Sequence, residues 1–139
     1  MAYIADGIRQ LVYERARGKC EYCQTQQKLV VTMQIDHIIP LAAGGATGIE
    51  NLSLSCVSCN NSKRDFQFGM DPITGSDARL FHPRRQRWAS HFRWSEDGLR
   101  LIGLTATGRA TVTRLKMNSA AMVISRGEWI TMGKHPPKS

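Results

Sequence analysis

The sequence lacks any long apolar run, and no stretch approaches the length that is needed to span a membrane. The first ten residues, MAYIADGIRQ, lack a basic segment followed by an apolar core, so we expect no secretory signal peptide. Internal repeats and low-complexity segments are also missing. These absences argue against a membrane-spanning, secreted or repeat protein and predict a cytoplasmic globular protein without a membrane partner.

Two families of nucleotide chemistry are excluded by missing motifs. The stretch AGGATG at residues 43–48 is not followed by Gly-Lys-Ser/Thr, so it is not a phosphate-binding P-loop. A zinc deaminase needs His-x-Glu and Pro-Cys-x-x-Cys. Here isoleucines follow His37, and Ser55 stands directly before Cys56. The deaminase pattern therefore fails at both of its parts.

Acidic residues are scarce relative to basic ones. The chain has 19 Lys and Arg against 11 Asp and Glu, which gives a formal net charge of +8 and a pI of about 9.8. Residues 1–70 carry a net charge of only +1, whereas residues 71–139 carry +7. The excess of positive charge favours a polyanionic partner. We predict that this partner is DNA, bound mainly through its phosphate backbone. A basic protein without such a partner is the alternative.

The length of 139 residues and a hydrophobic content of 42% fit one α+β domain with a modest core. Hydrophobic periodicity, turn residues and capping residues place the elements. Asp6 is the predicted N-cap of the first helix, and Asp97-Gly98 predicts a hairpin turn. We expect helices at residues 7–17 and 57–66, strands at 29–35 and 51–55, a hairpin at 91–104, and two further helices capped by Thr107 and Asn118.

The four cysteines form two Cys-x-x-Cys pairs. Thiols stay reduced in the cytoplasm, so pairs at this spacing predict zinc ligands and not disulfides. Four thiolates saturate one tetrahedral ion, and the zinc is therefore expected to be structural. Free buried thiols are the alternative. The predicted ligands are Cys20, Cys23, Cys56 and Cys59.

Residues between and around these pairs resemble a known family. The matching elements are the two cysteine pairs, the run IDHIIP at residues 35–40, the Gly-Gly at 44–45, Asn51-Leu52, and Asn60 followed by Lys63. Together they resemble the HNH endonucleases, which belong to the His-Me finger or ββα-metal nucleases, over about residues 15–65. The three motif letters fall on His37, Asn51 and Asn60, and the last of these departs from the literal His.

The resemblance implies a role for each residue of the motif. His37 would be the general base that activates water, because an imidazole is neutral near pH 7. Asp36 and Asn60 would bind a catalytic Mg²⁺ or Mn²⁺ through oxygen atoms. Asn51 would hydrogen-bond within the loop or orient His37, and a purely structural turn role is the alternative.

Basic residues in two places are candidates for contacts with DNA phosphates. Lys63 and Arg64 follow Asn60 by three and four positions and so share its helix face, although a solvated helix end is the alternative. A basic cluster in the second half supplies the other candidates, namely Arg84, Arg85 and Arg87.

The resemblance predicts an α+β protein with a ββα-metal core, zinc knuckles, and a C-terminal hairpin and helices packed on that core. We assign residues 1–70 to the nuclease core with its N-terminal helix and zinc site, and residues 71–139 to a basic elaboration within one domain. The predicted function is metal-dependent hydrolysis of DNA phosphodiester bonds, by nicking or double-strand cleavage. A non-catalytic zinc-stabilised nucleic-acid-binding module and a small interaction domain are the alternatives.

Overall fold

The computed structural model describes residues 3–29 and 32–138. This part of the chain is mixed α and β, with small antiparallel sheets of two strands each. The helices are α1 (Asp6–Arg15), α2 (Val57–Lys63), α3 (Trp88–His91), α4 (Ala106–Arg114) and α5 (Ala120–Thr131). The strands are β1 (Met33–His37), β2 (Leu52–Cys56), β3 (Phe68–Met70), β4 (Asp77–Arg79), β5 (Phe92–Trp94) and β6 (Leu101–Gly103).

The sheet of β1 and β2 organises the first half of the chain. The strands are antiparallel, with Met33 opposite Cys56 and His37 opposite Leu52. Every residue of β2 is buried, and α2 begins directly after it. The order is therefore strand, loop, strand, helix, as the sequence predicted. The first strand was predicted at residues 29–35, of which 30 and 31 lie outside the described residues. The predicted start is wrong, because Leu29 ends a 3-10 helix and the strand begins at Met33, and the strand continues two residues beyond the predicted end.

Helix boundaries differ from the prediction where single residues decide the backbone. Helix α1 begins at Asp6, so its N-cap is Ala5, and the predicted cap at Asp6 is wrong. The Asp6 carboxylate lies in the first turn, where it interacts favourably with the helix dipole. Helix α2 ends at Lys63, earlier than predicted, because Arg64 adopts a φ of 49°. A left-handed residue cannot continue a right-handed helix.

The second half contains the predicted hairpin and one that was not predicted. Strands β5 and β6 pair within residues 91–104, which confirms the hairpin read from Asp97-Gly98. Strands β3 and β4 form the other one. The caps of α4 and α5 are Thr105 and Ser119, and each side chain accepts the backbone N–H three residues ahead. Thr107 and Asn118 were therefore wrong as caps.

The buried apolar residues form one cluster that includes members from both sides of residue 70. It packs α1 and β2 against side chains of β5, β6 and the segment after α4. The predicted division into residues 1–70 and 71–139 stays a prediction. Within the described residues, no helix is both long and apolar enough to cross a membrane. Members with almost no exposed area include Val12, Tyr22, Leu52, Leu54, Phe92, Leu101, Leu115 and Met117.

Candidate functional site

The four cysteines meet in one buried cluster, as their spacing predicted. Cys20 and Cys23 lie in the turn after α1, Cys56 ends β2, and Cys59 lies in the first turn of α2. Their sulfur atoms all lie within 4.8 Å of one another, and Cys23 Sγ is 3.7 Å from Cys56 Sγ. Zinc–sulfur bonds of about 2.3 Å in a tetrahedron put sulfurs roughly 3.8 Å apart. The donor set and its spacing therefore fit a zinc ion.

The chemistry of the cluster supports the same fit. The backbone N–H of Cys23 donates to Cys20 Sγ, and that of Cys59 donates to Cys56 Sγ, each over 3.4 Å. Burial raises the pKa of the Cys20 thiol, while hydrogen bonding from the Cys20 thiol lowers the pKa of Cys23. Buried thiols of this kind do not all ionise together unless a cation neutralises them.

A buried arginine from the C-terminal helix lies near the cluster. Arg126 is fully buried and donates to Leu99 O at 3.0 Å, Asn118 Oδ1 at 3.2 Å and Met117 O at 2.6 Å. Burial lowers the pKa of Arg126, and the negative charge of Cys23 and other cysteines opposes that shift. Four thiolates around one Zn²⁺ would carry a net charge of −2, which the guanidinium partly offsets. Sequence reasoning did not predict that Arg126 lies near the cysteines. The indication was a charged residue at helical spacing among apolar residues of the same helix.

Asp36 lies on β1, and its carboxylate is near the end of α2. One of its carboxylate oxygens, Oδ2, is buried and has no hydrogen-bond partner within residues 3–29 and 32–138, and it lies 3.9 Å from Lys63 Nζ. Burial raises the pKa of Asp36, and the charge of Lys63 opposes the shift. Gln34 lies two residues before Asp36, so both side chains are on the same face of β1. On this face Asn60 Nδ2 donates a hydrogen bond to Gln34 Oε1. The predicted ligands Asp36 and Asn60 therefore border the same strand–helix interface.

Lys63 shares the helix face of Asn60, as predicted, because both side chains contact β1. Its side chain is only 2% exposed, and its ammonium group donates to Ile38 O at 3.1 Å. Burial lowers the pKa of Lys63, which is opposed by the charge of Asp36. The ammonium group is therefore engaged within the protein, and the predicted contact of Lys63 with DNA stays a prediction. Arg64, by contrast, is exposed.

His37 ends β1 and faces the loop that leads to β2. Its Nε2 lies 2.9 Å from the hydroxyl oxygen of Thr47, and the ring is half-buried. Sequence reasoning did not find Thr47, since no short motif marks the residue that a loop folds back onto a histidine. The hydrogen bond restricts the rotation of the imidazole and leaves Nδ1 free of that partner.

Asn51 holds the same loop closed. Its Oδ1 accepts from the backbone N–H of Ile39 at 2.9 Å, and its Nδ2 donates to Ile39 O at 3.0 Å and to Ala46 O at 2.8 Å. The loop passes so close that a Cβ on Gly45 would lie 1.9 Å from Ile39 O. Asn51 thus makes hydrogen bonds within the loop, which is one of the roles expected for it. Its three bonds fix the segment that carries Thr47.

The basic cluster at residues 84–87 is divided by the fold. The guanidinium of Arg84 forms an ion pair with Glu21 and is only 15% exposed, whereas Arg85 and Arg87 are exposed. Burial raises the pKa of Glu21, and the charge of Arg84 opposes this. Arg85 lines a cleft of about 250 Å³ that also includes Ile38, which directly follows His37. Arg85 and Arg87 therefore remain accessible to a phosphate backbone, while Arg84 is engaged within the protein.

A family model matches part of the chain. Residues 20–66 match the family model described as HNH endonuclease. The matched segment is less than half of the chain, and it begins at the first cysteine of the cluster and includes Asp36, His37, Asn51 and Asn60. No solved structure matches the chain.

Proposed function

We propose that this chain, whose residues 20–66 match the HNH endonuclease family, is a metal-dependent endonuclease that hydrolyses DNA phosphodiester bonds. The observation that carries the proposal is the arrangement at the end of β1. There His37 is held by Thr47, and its neighbour Asp36 shares the strand–helix interface with Asn60. A base beside two oxygen donors is what hydrolysis of a phosphodiester requires.

In this proposal His37 is the general base. When Nε2–H donates to Thr47 Oγ1, the lone pair of the neutral imidazole lies on Nδ1. Nδ1 then accepts the proton of the attacking water as the new P–O bond forms, and the bond to the leaving oxygen breaks. Asn51 acts indirectly, because its hydrogen bonds fix the loop that carries Thr47.

The catalytic divalent ion is assigned to Asp36 and Asn60. Oδ2 of Asp36 fits a metal ligand, since among the described residues this buried oxygen accepts no hydrogen bond and has only the Lys63 ammonium at 3.9 Å as a neighbouring charge. Asn60 uses its Nδ2 for Gln34, which leaves its Oδ1 available. Mg²⁺ or Mn²⁺ bound there supplies Lewis-acid stabilisation of the leaving oxygen. Oxygen donors are the ligands that such hard ions prefer.

The zinc assigned to the four cysteines has a structural role. Four thiolates leave no open coordination position, so this ion does not activate water. It joins the turn after α1 to the start of α2 and so fixes the helix that carries Asn60. Residues 1–70 then act as the nuclease core and residues 71–139 as the basic elaboration, in a cytoplasmic protein.

One observation favours a second candidate, a non-catalytic zinc module that binds nucleic acid. The ammonium group of Lys63 lies 3.9 Å from Asp36 Oδ2 and carries the charge that a divalent ion would otherwise supply. If this pair persists in solution, Asp36 binds no metal and the chain binds DNA without cutting it. The four-cysteine site fits either candidate.

A nicking time course on supercoiled plasmid, across a titration of Mg²⁺ and Mn²⁺, tests the proposal. His37→Ala should lower the cleavage rate by about two to four orders of magnitude at every metal concentration, because the base is missing. Asp36→Ala and Asn60→Ala should instead shift the metal dependence to higher concentration. Thr47→Val should lower the rate less than His37→Ala, because the base remains but its ring is less restricted.

Zinc content and melting temperature of each variant serve as the control for folding. A folded, zinc-loaded His37→Ala protein that nicks at the parent rate would refute the assignment of the base. A parent protein that binds DNA yet never nicks it, at any concentration of either ion, would favour the non-catalytic module.

A further inference from the structure

Strand β3 and Phe66, which lies two residues before it, expose their large side chains to solvent. Phe66, Phe68 and Met70 are 41%, 43% and 54% exposed, while Gly69 between them is buried. A Cβ on Gly69 would lie 3.2 Å from the carbonyl oxygen of Ala110, so a larger side chain would require α4 to shift by a few tenths of an ångström. The fold therefore places glycine inside and the rings outside. Neighbouring large apolar side chains that remain exposed mark an interaction surface.

Each of the two rings is accompanied by an arginine. The guanidinium carbon of Arg114 lies 4.0 Å from the centre of the Phe66 ring, and that of Arg79 lies 4.9 Å from the centre of the Phe68 ring. Arg79 is also the partner of Phe68 across the β3–β4 pair. The surface thus alternates aromatic rings with planar cations, and we call these four residues the stacking face.

The hairpin under the stacking face is held in place. Asp71, at the turn after β3, is fully buried and accepts two hydrogen bonds from Arg109 of α4, at 2.8 and 2.9 Å. These hydrogen bonds hold the pKa of Asp71 well below its usual range. The same carboxylate accepts from the backbone N–H of Ile73 and from the Thr74 hydroxyl. The rings are therefore presented on a braced hairpin, which limits the ordering entropy that a ligand must overcome.

The stacking face adjoins the proposed catalytic strand. The cleft of about 250 Å³ is lined on one side by Ile38 and Ile39, which directly follow His37, and on another by Phe66 and Arg79. Arg85 lies at the same cleft. The cleft therefore connects the residues after His37 with Phe66 and Arg79 of the stacking face.

We propose that the stacking face, Phe66 and Phe68 with Arg79 and Arg114, binds unpaired bases of a DNA strand beside the cleavage site. The inference rests on the proposed function, since it names the form of DNA that the same site takes. Exposed aromatic rings stack on base faces, and these faces are available only where the bases are unpaired. A paired duplex presents phosphates to such a surface, and phosphates bind the cations without using the rings.

Charge complementarity supports this occupant over an apolar protein surface. Residues 71–139 carry a net charge of +7, and both rings of the face have a guanidinium against them. The next exposed apolar residue, Met70, pairs with Asp77, whose carboxylate repels phosphate. The face therefore ends at Phe68 on that side. A protein partner of apolar character would instead be expected to use Met70 as well.

Fluorescence anisotropy without added divalent ion separates binding from cleavage. The zinc-loaded full chain is titrated with a labelled blunt duplex, the same duplex with an unpaired tail, and a single strand. Phe66→Ala/Phe68→Ala should weaken binding to the tailed and single-stranded DNA about tenfold or more, since stacking on each base is lost. Duplex affinity should change by less than about twofold. The dependence of affinity on salt should stay the same, because no cation is removed.

Matched variants separate stacking from general loss of surface. Ile73→Ala removes an apolar side chain that is 75% exposed on the same hairpin but has no ring, and it should leave all three affinities unchanged. Phe68→Tyr keeps the ring and should retain the preference for the tail. Arg79→Lys keeps the charge but loses the planar guanidinium, so it should weaken tail binding without changing the salt dependence. Zinc content and melting temperature confirm that each variant is folded.

Several results would overturn the proposal. The first is a Phe66→Ala/Phe68→Ala variant that binds tailed DNA with the affinity of the parent. The second is an equal loss of affinity of this variant for tailed and blunt DNA. The third is a parent protein that binds none of the three DNAs. Ring-dependent self-association with unchanged DNA binding would assign the face to a second copy of the chain. The nicking assay is separate. A parent that never nicks but shows ring-dependent tail binding refutes the nuclease and leaves the stacking face intact.

Discussion

Replacing Asn51 tests whether the loop after β1 is held by this one side chain. The residue is 7% exposed and makes three hydrogen bonds, accepting from Ile39 N–H and donating to Ile39 O and Ala46 O. Asn51→Ala removes all three and leaves their backbone partners without a side-chain partner. Asn51→Asp keeps the shape and the acceptor but removes both N–H donors, so a carboxylate oxygen faces two carbonyl oxygens.

The expected cost follows from these bonds. A buried neutral hydrogen bond contributes on the order of 1 kcal/mol, so Asn51→Ala should lower the free energy of unfolding by about 2–4 kcal/mol. At roughly 3–4 °C per kcal/mol for a domain of this size, the melting temperature should fall by about 10 °C. Asn51→Asp should cost at least as much near pH 8, because repulsion is added to the loss of the donors.

The pH dependence of Asn51→Asp has a definite sign. The two carbonyl oxygens raise the folded-state pKa of the new carboxyl above its unfolded value of about 3.9. The electrostatic penalty is therefore complete above the folded pKa and disappears as the pH falls through that pKa to the unfolded value. The difference in stability from the parent should narrow on acidification, since a protonated carboxyl donates to one of the carbonyls.

Urea unfolding of zinc-loaded protein at several pH values measures both quantities. Asn61→Asp is the matched control, because Asn61 is exposed on α2 and should tolerate the same change. Both Asn51 variants should also nick DNA more slowly, by about a hundredfold, since a misplaced base loses its geometry. If Asn51→Asp costs no more than Asn61→Asp, the hydrogen bonds of Asn51 do not hold the loop.

Further predictions concern zinc, the buried arginine and the basic cluster. Protein expressed with zinc available should contain one zinc per chain by elemental analysis, and Cys59→Ser should lower both zinc content and folded yield; zinc-free folded parent would contradict this. Arg126→Met should lower the free energy of unfolding by about 3 kcal/mol because it leaves buried acceptors unpaired, and exposed Arg87→Ala should not; equal stability of the two variants would show the contacts to be unimportant. Arg85→Ala and Arg87→Ala should each reduce the slope of log affinity against log salt by about 0.9 on duplex DNA. Arg84→Ala should lower stability and leave that slope unchanged, because the Arg84 guanidinium is paired with a buried carboxylate. A reduced slope for Arg84→Ala, with unchanged slopes for Arg85→Ala and Arg87→Ala, would assign the DNA contact to Arg84 instead.

Local patterns predicted those parts of the fold that depend on neighbouring residues. The Asp97-Gly98 turn predicted the β5–β6 hairpin, because the turn type restricts φ at the second position, where Gly98 has a φ of 74°. The helix caps were displaced by one or two residues, since several side chains near each end are able to cap. Thr105 and Ser119 do so, and only the packed backbone decides which residue is the cap.

The β3–β4 hairpin escaped prediction because its alternation is reversed. Glycine faces the protein and phenylalanine faces outward, so the hydrophobic pattern does not indicate which face is buried. The reason lies in α4, whose backbone at Ala110 approaches Gly69 closely, so that a side chain there would make a tight contact of 3.2 Å. A helix that is distant in the sequence therefore decides the orientation of this strand.

The sequence by itself determined the chemistry of the candidate site. Two Cys-x-x-Cys pairs specify a cluster of four thiols, because a tight turn directs both sulfurs of a pair to one point. The Asp36-His37 pair and Asn51 fall within one short segment, so that a local motif could name them. The tertiary structure decided which charged side chains are available to a ligand. Lys63 and Arg84 have the same charge as the exposed Arg64 and Arg85, yet their side chains contact Ile38 and Glu21, far away in the chain. Arg126 is likewise bound by the carbonyl of Leu99. Burial and pairing depend on distant segments that fold against a residue, and its local sequence does not encode them.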